Sequence, residues 1–581
     1  MTRNDEVATL LEEFAALLDA QGVEYKPRAY ERAADRIRDH TVDIEVLARE
    51  GPEAVAEIDD VGDAISSKVV EYVETGEIAE LEELREELPV EMDALTRVEG
   101  VGPRTVGKLY EELGVQTLDD LESVAEAGEI QQLSGFGKKT ESNILDGIPF
   151  AREAHERQLL GKARPQGERI RAYLDEQEPV TRCELAGSIR RWSPTIGDVD
   201  VLVASDDPGA VVEVFTSFPD ADSTIEAGST KAGIRVDGVR VDLRIVAEGD
   251  FGAALQYFTG SKAHNVAVRN RAIDQDLKMN EYGVFDVSEL SREEADAGQR
   301  AGERIAGETE AEMYEVLGMA WVPPELREDR GEVETATSED LPSLVTTGDI
   351  RGDLHVHTDW SDGSNTIEEM VTGASEFGHE YVCLTDHASG PGIVSSIGLD
   401  DEDIRDQLAV IRDVDDDADI DVLAGIEANI DTDGSISVGD DVLADLDIVV
   451  ASPHTGLDGD GTDRLVEAAR HPAVDIIGHP TGRQLNRREG LSVDIDRLAR
   501  VAADCDTALE INADPHRLDL SGRLVQRAVD QGAMVAIDTD AHSPASYEFV
   551  RYGVHTARRG WAESGDVLNT RSVPELQSLL A

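Results

Sequence analysis

Between residue 346 and the C-terminus, seven short apolar runs alternate with helical patterns, and all seven carry a histidine, glutamate or aspartate at or near their ends. The runs are GDLHVHT, YVCLTDH, VLAGIEA, DIVVASPH, VDIIGHP, ALEINA and MVAIDTDAH. Repeated strand–helix units build a parallel sheet or barrel, because parallel neighbours need a crossover connection that covers the sheet. Seven runs predict a seven-stranded relative of the eight-stranded (β/α) barrel. In such barrels chemistry collects at the carboxyl ends of the strands, which is where these polar residues fall.

Their types narrow the chemistry. Residues i and i+2 of a strand point the same way, so His355 and His357 aim two imidazoles at one place, and Asp540 and His542 repeat the spacing. His387, Glu427, His454 and His479 stand at the ends of four further runs, and Asp362 follows the first. Imidazole and carboxylate without thiolate suit Zn2+, Mn2+ or Fe2+. Clustered ions lower the pKa of a bound water and clamp the attacking and leaving oxygens of a phosphodiester. One histidine alone would read as a satisfied core residue; the set reads as a metal centre. His379, His471, His516 and His555 lack the strand-end setting and are expected to be structural, with Cys383 in the core.

These residues resemble the PHP (polymerase and histidinol phosphatase) family over about 346–581. The resemblance implies a distorted (β/α)7 barrel with up to three metal ions. It assigns His355, His357, Glu427 and Asp540 to one ion, Glu427, His454 and His479 to a second, and Asp362, His387 and His542 to a third. Arg483, in HPTGR, is a candidate phosphate contact; as a bare arginine it reads equally as a solvated surface residue.

A second signal is GSIRRWSPTIGDVDVLV, residues 187–203. Asp198 and Asp200 share one face of a predicted strand, and Asp242, in VRVDLRIV, sits in another that could pair alongside. A lone Asp-x-Asp is usually a solvated strand end. Three converging carboxylates repel one another unless a cation neutralises them, and they suit Mg2+ or Mn2+ with substrate phosphates as further ligands. This stretch looks like a nucleotidyltransferase palm, and about 1–330 resembles the family X DNA polymerases. The resemblance implies a nucleotide pocket in which Gly187, Ser188 and Arg191 hold the triphosphate. Tyr257, Phe258 and Gly260, in YFTGSKAHNVAVRNRA, would shape the sugar pocket, with Asn265 on the incoming base and Arg244 organising the carboxylates.

Upstream, VEGVGPRTVGKLYEELG and LSGFGKKTESNIL share apolar-x-Gly-apolar-Gly before a helix. They resemble helix-hairpin-helix motifs, whose glycines free backbone N–H groups to meet DNA phosphates without reading sequence. Gly100, Gly102, Gly135 and Gly137 fit, with Lys108 and Lys138 nearby. A tight helix–helix turn needs the same glycines, and the motif's repetition favours DNA contact. IDDVGDAISSKVVEYVETG is a third copy, with Asp60 at the leading glycine position. Its Lys68 matches the family position of a Schiff-base lysine, which needs a lowered pKa to remove a 5′-deoxyribose phosphate. Asp60 works against that.

Composition sets the remaining bounds. Asp plus Glu number 123 against 53 Lys plus Arg, a formal net charge of -70. Such acidity opposes nucleic-acid binding, but it is spread along the whole chain with few lysines. That is the pattern expected in a molar-salt cytosol, where the Debye length is about 3 Å and self-repulsion is cheap. Arginine pairs such as Arg190 with Arg191 and Arg269 with Arg271 are expected to supply islands of positive potential. The cysteines Cys183, Cys383 and Cys505 are far apart, which suits a reducing cytoplasm. No apolar stretch is long enough to span a membrane.

The expected organisation is multidomain. A helical DNA-binding region (1–85) and helix-hairpin-helix fingers (86–150) precede an α+β palm (151–250) and thumb (251–330). An aperiodic linker (331–345) then leads to the barrel (346–581). The function expected is a monomeric, template-directed DNA polymerase that fills short gaps in repair, with gapped or primer-template DNA and dNTPs as partners. The barrel would act as a 3′-5′ exonuclease, a 3′-phosphatase or an abasic-site endonuclease. The alternatives are a DNA-binding scaffold with an inactive barrel and a phosphatase of the histidinol phosphate type.

Overall fold

A computed structural model of the chain describes residues 3–579 apart from 24, 39–43, 57, 59, 99 and 394–396. The N-terminal region is helical from Arg3–Ala20 through Lys138–Glu156. Leu11 and Phe14 of the first helix, Val106 and Leu109 of helix Pro103–Leu113, and Ile144 and Ile148 of helix Lys138–Glu156 belong to one apolar core. The break expected near residue 85 is therefore not a break in packing. Helices approach so closely that a Cβ on Gly107 would lie 2.1 Å from the Ala20 carbonyl oxygen.

The palm is a five-stranded sheet of β1 (Arg182–Leu185), β2 (Val199–Ala204), β3 (Ser223–Ala227), β4 (Lys231–Val236) and β5 (Val239–Val246), in the order β1-β2-β5-β4-β3. Strands β2 and β5 run parallel; the other neighbours are antiparallel. Alternation along β5 buries Val239, Val241, Leu243 and Ile245. Arg240, Asp242 and Arg244 are thereby turned to the opposite, open face. The thumb adds helices Phe251–Thr259 and Lys262–Ile273 and an antiparallel sheet of β6 (Leu277–Asn280), β7 (Gly283–Asp286) and β8 (Glu303–Ala306).

The segment expected to be a linker is packed structure. Helix Glu332–Ser338 lies within it, and the fully buried Glu332 meets His264 at 2.6 Å. Just upstream, Arg327 is also fully buried and meets Glu310 at 2.6 Å. Glu310 in turn takes Arg190 at 2.7 and 3.0 Å and the indole of Trp321 at 2.9 Å. Burial alone would push Glu310 up, but Arg327 and Arg190 outweigh it and hold the carboxyl far below its usual range. The segment reads as polar because its charges are paired internally, and a scan for apolar periodicity cannot see such pairing.

The last 230 or so residues form seven parallel strands. They are β9 (Gly352–Val356), β10 (Tyr381–Leu384), β11 (Asp421–Asn429), β12 (Ile448–Ser452), β13 (Ile476–Ile477), β14 (Ala508–Asn512) and β15 (Val535–Asp538), each paired with the next. The ring is nearly closed: β9 and the end of β15 meet at one bridge, where the His357 N–H donates to the Ala541 carbonyl at 2.8 Å. Leu354, Cys383, Val450 and Ile476 share a core cluster. Barrel residues Leu518 and Tyr552 are part of the palm's apolar core, so the two modules are docked. Among the described residues, no helix is long and apolar enough to cross a membrane.

Candidate metal centre and palm site

Parallel strands all deliver their C-terminal residues to one end of the barrel, and the nine predicted ligands meet there. Glu427 is central. Its Oε1 lies 3.1 Å from His479 Nε2, 3.2 Å from His454 Nε2 and 3.5 Å from His355 Nε2. Its Oε2 lies 2.6 Å from His387 Nδ1 and 3.8 Å from His357 Nε2. Asp362 meets His387 and His542, each at 3.3 Å, and Asp540 meets His357 at 3.1 Å. Burial would raise the Glu427 carboxyl, but His454, His387 and His355 hold it well below the usual range.

The donor atoms fit divalent cations. Three groups can each converge on one ion: His357, Asp362, His387 and His542; His355, His357 and Glu427; and His387, Glu427 and His454. These partitions overlap the expected ones but exchange some histidines between ions. His355 Nε2, both His357 ring nitrogens, His454 Nε2 and Glu427 Oε2 are buried without a hydrogen-bond partner. Each such atom costs about 1–3 kcal/mol unless something else satisfies it. Backbone strain also concentrates here: His479 has φ 23° and Asp540 φ 55°.

The residues that orient this ring were not foreseen. Glu510 Oε1 lies 2.7 Å from His355 Nδ1, which leaves Nε2 to face the site, and Glu510 also accepts the His479 N–H. Asn429 does the same for His454 Nδ1 at 2.7 Å, and Asn512 donates to Asp540 at 3.0 Å. A signal existed: ALEINA was the one run without a predicted ligand, yet Glu510 and Asn512 show the i, i+2 spacing of the other pairs. Arg483 is half-buried rather than solvated. Its guanidinium donates to the carbonyls of Arg517, at 2.9 Å, and Leu518, and so braces that loop.

In the palm, parallel pairing puts Asp200 and Asp242 directly opposite one another, with Asp198 just before β2 rather than within it. Burial, then Asp198 and Asp242, push Asp200 up to about 7. Such a carboxyl is poised for a cation. Gly187 makes the room: its φ is 60°, and a Cβ there would lie 2.0 Å from Asp200 Oδ2. Gly233 stands similarly near Asp242, with a hypothetical Cβ 3.0 Å from Oδ1. Arg240 pairs with Asp242 at 3.0 Å, and Arg244 lies over the Phe258 ring at 4.3 Å.

Arg190 and Arg191 are not an island of positive potential. Arg190 is committed to Glu310, while Arg191 meets Glu328 at 3.1 Å and the Thr259 carbonyl at 2.8 Å. Half-buried Ser188 lies beside them. Asn265 donates to the Tyr257 carbonyl at 2.6 Å, so it ties helix Lys262–Ile273 back across Gly260. Tyr257 and Phe258 pack edge to face at 5.2 Å, with Tyr257 exposed.

In the hairpins, Gly100 and Gly135 have φ 79° and 91°, and Gly102 and Gly137 cap the helices that follow. Lys138 is exposed at the start of its helix. Lys108 bridges the hairpins, since its ammonium donates to the Ser134 carbonyl. Asp60 keeps the left-handed turn at φ 59° and is neutralised by Arg32 at 2.8 Å. Lys68 pairs with Glu80 at 2.7 Å. Burial would lower Lys68, but Glu80 and Tyr30 hold it above its ordinary value, the opposite of what a Schiff-base lysine needs.

The N-terminal helices reach the barrel rim. Arg36 donates to the Asp362 carbonyl at 3.4 Å. Beyond it, a cleft of about 880 Å³ runs between Arg97 and Asn143 on one side and the barrel loops on the other, with the metal-site His454 in its wall.

A palm with converging carboxylates, backed by a thumb and tandem hairpins and docked on a histidine-rich barrel, defines a two-site nucleotidyltransferase–phosphoesterase. Known families match piecewise: a helix-hairpin-helix domain over 2–78, a SAM-like helix-hairpin-helix tandem over 92–148, the DNA polymerase beta thumb over 254–328 and the PHP domain over 353–513. The chain is 34% identical to the DNA polymerase/3′-5′ exonuclease PolX of Bacillus subtilis (strain 168), over 99% of each protein. It is 24% identical to DNA polymerase lambda of Rattus norvegicus, over 56% of each. A third of it, 33%, is 31% identical to a probable phosphatase of Caldanaerobacter subterraneus, of which 75% is covered. The chain belongs to the family X DNA polymerases that carry a C-terminal PHP domain.

Proposed function

We propose that this protein fills short gaps in DNA by template-directed nucleotidyl transfer in the palm and trims 3′ ends in the barrel. The observation that carries the reading is the strand register that sets Asp200 beside Asp242 above Gly187. Mg2+ or Mn2+ bound there would neutralise the carboxylates and stabilise charge on the transferring phosphate. Asp198, Asp200 and Asp242 hold the cations, and Gly187 and Ser188 offer backbone and hydroxyl groups to the triphosphate. For Arg191 to reach a phosphate it exchanges Glu328 for it. Tyr257, Phe258, Gly260 and Asn265 form the wall where the sugar and base lie.

In the barrel, up to three ions of Zn2+, Mn2+ or Fe2+ would supply Lewis acidity for phosphodiester cleavage. The chain's share is positional: Glu427 sits among five histidines, and Glu510 and Asn429 orient two of the imidazoles. The cleft beside His454 opens the centre towards the hairpins, which suits a DNA strand end. Exonuclease, 3′-phosphatase and abasic-site cleavage all use the same phosphoester chemistry. A single chain carries both sites, which suits a monomer, and three unpaired cysteines suit a reducing cytoplasm. The raised Lys68 weighs against lyase activity.

The decisive experiment is a gapped-duplex assay with wild type, Asp198→Ala and His355→Ala. Asp198→Ala should lose extension and keep degradation; His355→Ala should do the reverse. Loss of both activities in either variant would break the two-site assignment. Similarity of the barrel to a probable phosphatase favours one second reading, a small-molecule phosphatase. Phosphate release from histidinol phosphate, faster than digestion of a labelled oligonucleotide, would establish it.

A further inference from the structure

A cavity of about 450 Å³ lies where palm, thumb and barrel meet, against Trp192 and Pro194. Its wall carries four arginines, Arg330, Arg483, Arg523 and Arg559, and one carboxylate, Glu328. In a chain of net charge -70 this local surplus of cations is out of keeping with the rest.

The surplus is only partly offset nearby. Glu328 is shared between Arg559 and Arg191, each at 3.1 Å. Among the described residues, Arg330, Arg483 and Arg523 have no ion-pair partner. Arg330 donates to the Arg559 carbonyl at 2.7 Å, and Arg483 to the carbonyls of Arg517 and Leu518. Such neutral acceptors leave the charges in place. Arg330 Nε is buried with no hydrogen-bond partner at all. Burial, then neighbouring Arg559, pull Arg330 below the ordinary guanidinium range and outweigh the opposing pull of Glu328 and Glu332. Helix Gly522–Asp530 begins at the same wall, with no side-chain cap from Ser521 and no acid in its first turn. Its free N–H groups add to the positive field.

We propose that this cavity binds a phosphate-class oxyanion through Arg330, Arg523 and Arg559. The anion is inorganic phosphate or pyrophosphate, or a phosphate of the DNA backbone; these share tetrahedral oxyanion chemistry that forked guanidinium groups match. The three arginines come from the thumb tail and from two barrel helices, so the ligand cross-links modules and stabilises their docking. It also competes with Glu328 for Arg559, one contact from Arg191.

The test uses full-length protein carrying Asp198→Asn and His355→Ala, kept in EDTA so that neither reaction centre holds the ligand. Pyrophosphate, phosphate and a short single-stranded oligodeoxynucleotide are titrated separately by calorimetry and thermal shift. At least one should bind saturably and raise Tm. Arg523→Glu should weaken that binding roughly tenfold or more. Its Tm without ligand should hold, because Arg523 is exposed. Arg523→Gln, neutral and milder, serves if the reversal perturbs folding. Binding by the free ions alone assigns a soluble anion, by the oligonucleotide alone a DNA phosphate, and by both the shared chemistry. No saturable binding in any arm, or affinity unchanged by removal of the Arg523 charge, overturns the proposal.

Discussion

His555 of the barrel lies flat on Trp192 of the palm, with ring centroids 3.5 Å apart and planes 8° from parallel. Arg164 also lies over the indole, at 3.9 Å. Trp192 directly follows Arg191, so the barrel supports the turn that carries the proposed nucleotide contacts. Replacing a buried tryptophan by alanine costs about 3–5 kcal/mol. Trp192→Ala should therefore lower Tm and slow primer extension more than barrel-dependent degradation. Equal loss of the two activities would mean that the stack serves global stability alone.

The same interface should fail in acid. Glu325 is buried and receives His555, at 2.7 Å, and Arg558, at 2.7 Å. Burial would raise its carboxyl, but these partners hold it at about 2, against an ordinary 4.5. A depressed carboxyl contributes stability that is complete above its unfolded value. That stability is lost as pH falls from about 4.5 towards 2, and is worth on the order of 3 kcal/mol. Burial holds His555 below 6.5, so its loss also runs in the acid direction and begins sooner. Glu325→Gln should flatten the carboxyl part of the acid limb in Tm measured from pH 6 to pH 3. An unaltered limb would place the acid-sensitive group elsewhere.

Glu510 should matter as a positioning residue for the metal centre. Outer partners of ligating histidines typically contribute 10–100-fold, roughly, to metal affinity or activity. Glu510→Gln should reduce bound metal per chain, measured by elemental analysis, and slow degradation in proportion, while extension by the same preparation is unchanged. Full metal content and full degradation would show that His355 is held by other contacts.

Gly187→Ala tests the palm. The left-handed backbone costs an L side chain roughly 1–2 kcal/mol, and the added methyl would meet Asp200 at 2.0 Å. Asp200 must then move out of register with Asp242. Displacement of about 1 Å in a reaction centre costs on the order of 10²-fold. Extension should fall by that order while degradation persists, and an unaffected extension rate would remove Asp200 from the centre.

The barrel was legible in the sequence because strand alternation and strand-end polarity are local properties. His355 with His357, and Asp540 with His542, declare their shared direction through spacing alone. The palm carboxylates were legible for the same reason, as short motifs on short strands. Pairings between distant residues were not. Nothing near Glu332 reveals His264, and nothing near Arg191 reveals Glu328 and Arg559, because a charged residue looks solvated until its partner arrives from elsewhere in the chain. That is why an internally paired segment read as a linker, and why Arg190 and Arg191 read as free cations. The chemical identity of the ligands is thus written in the sequence. Which charges remain unpaired, and so where this acidic chain keeps positive potential, is decided only when folding brings distant groups into contact and removes water from between them.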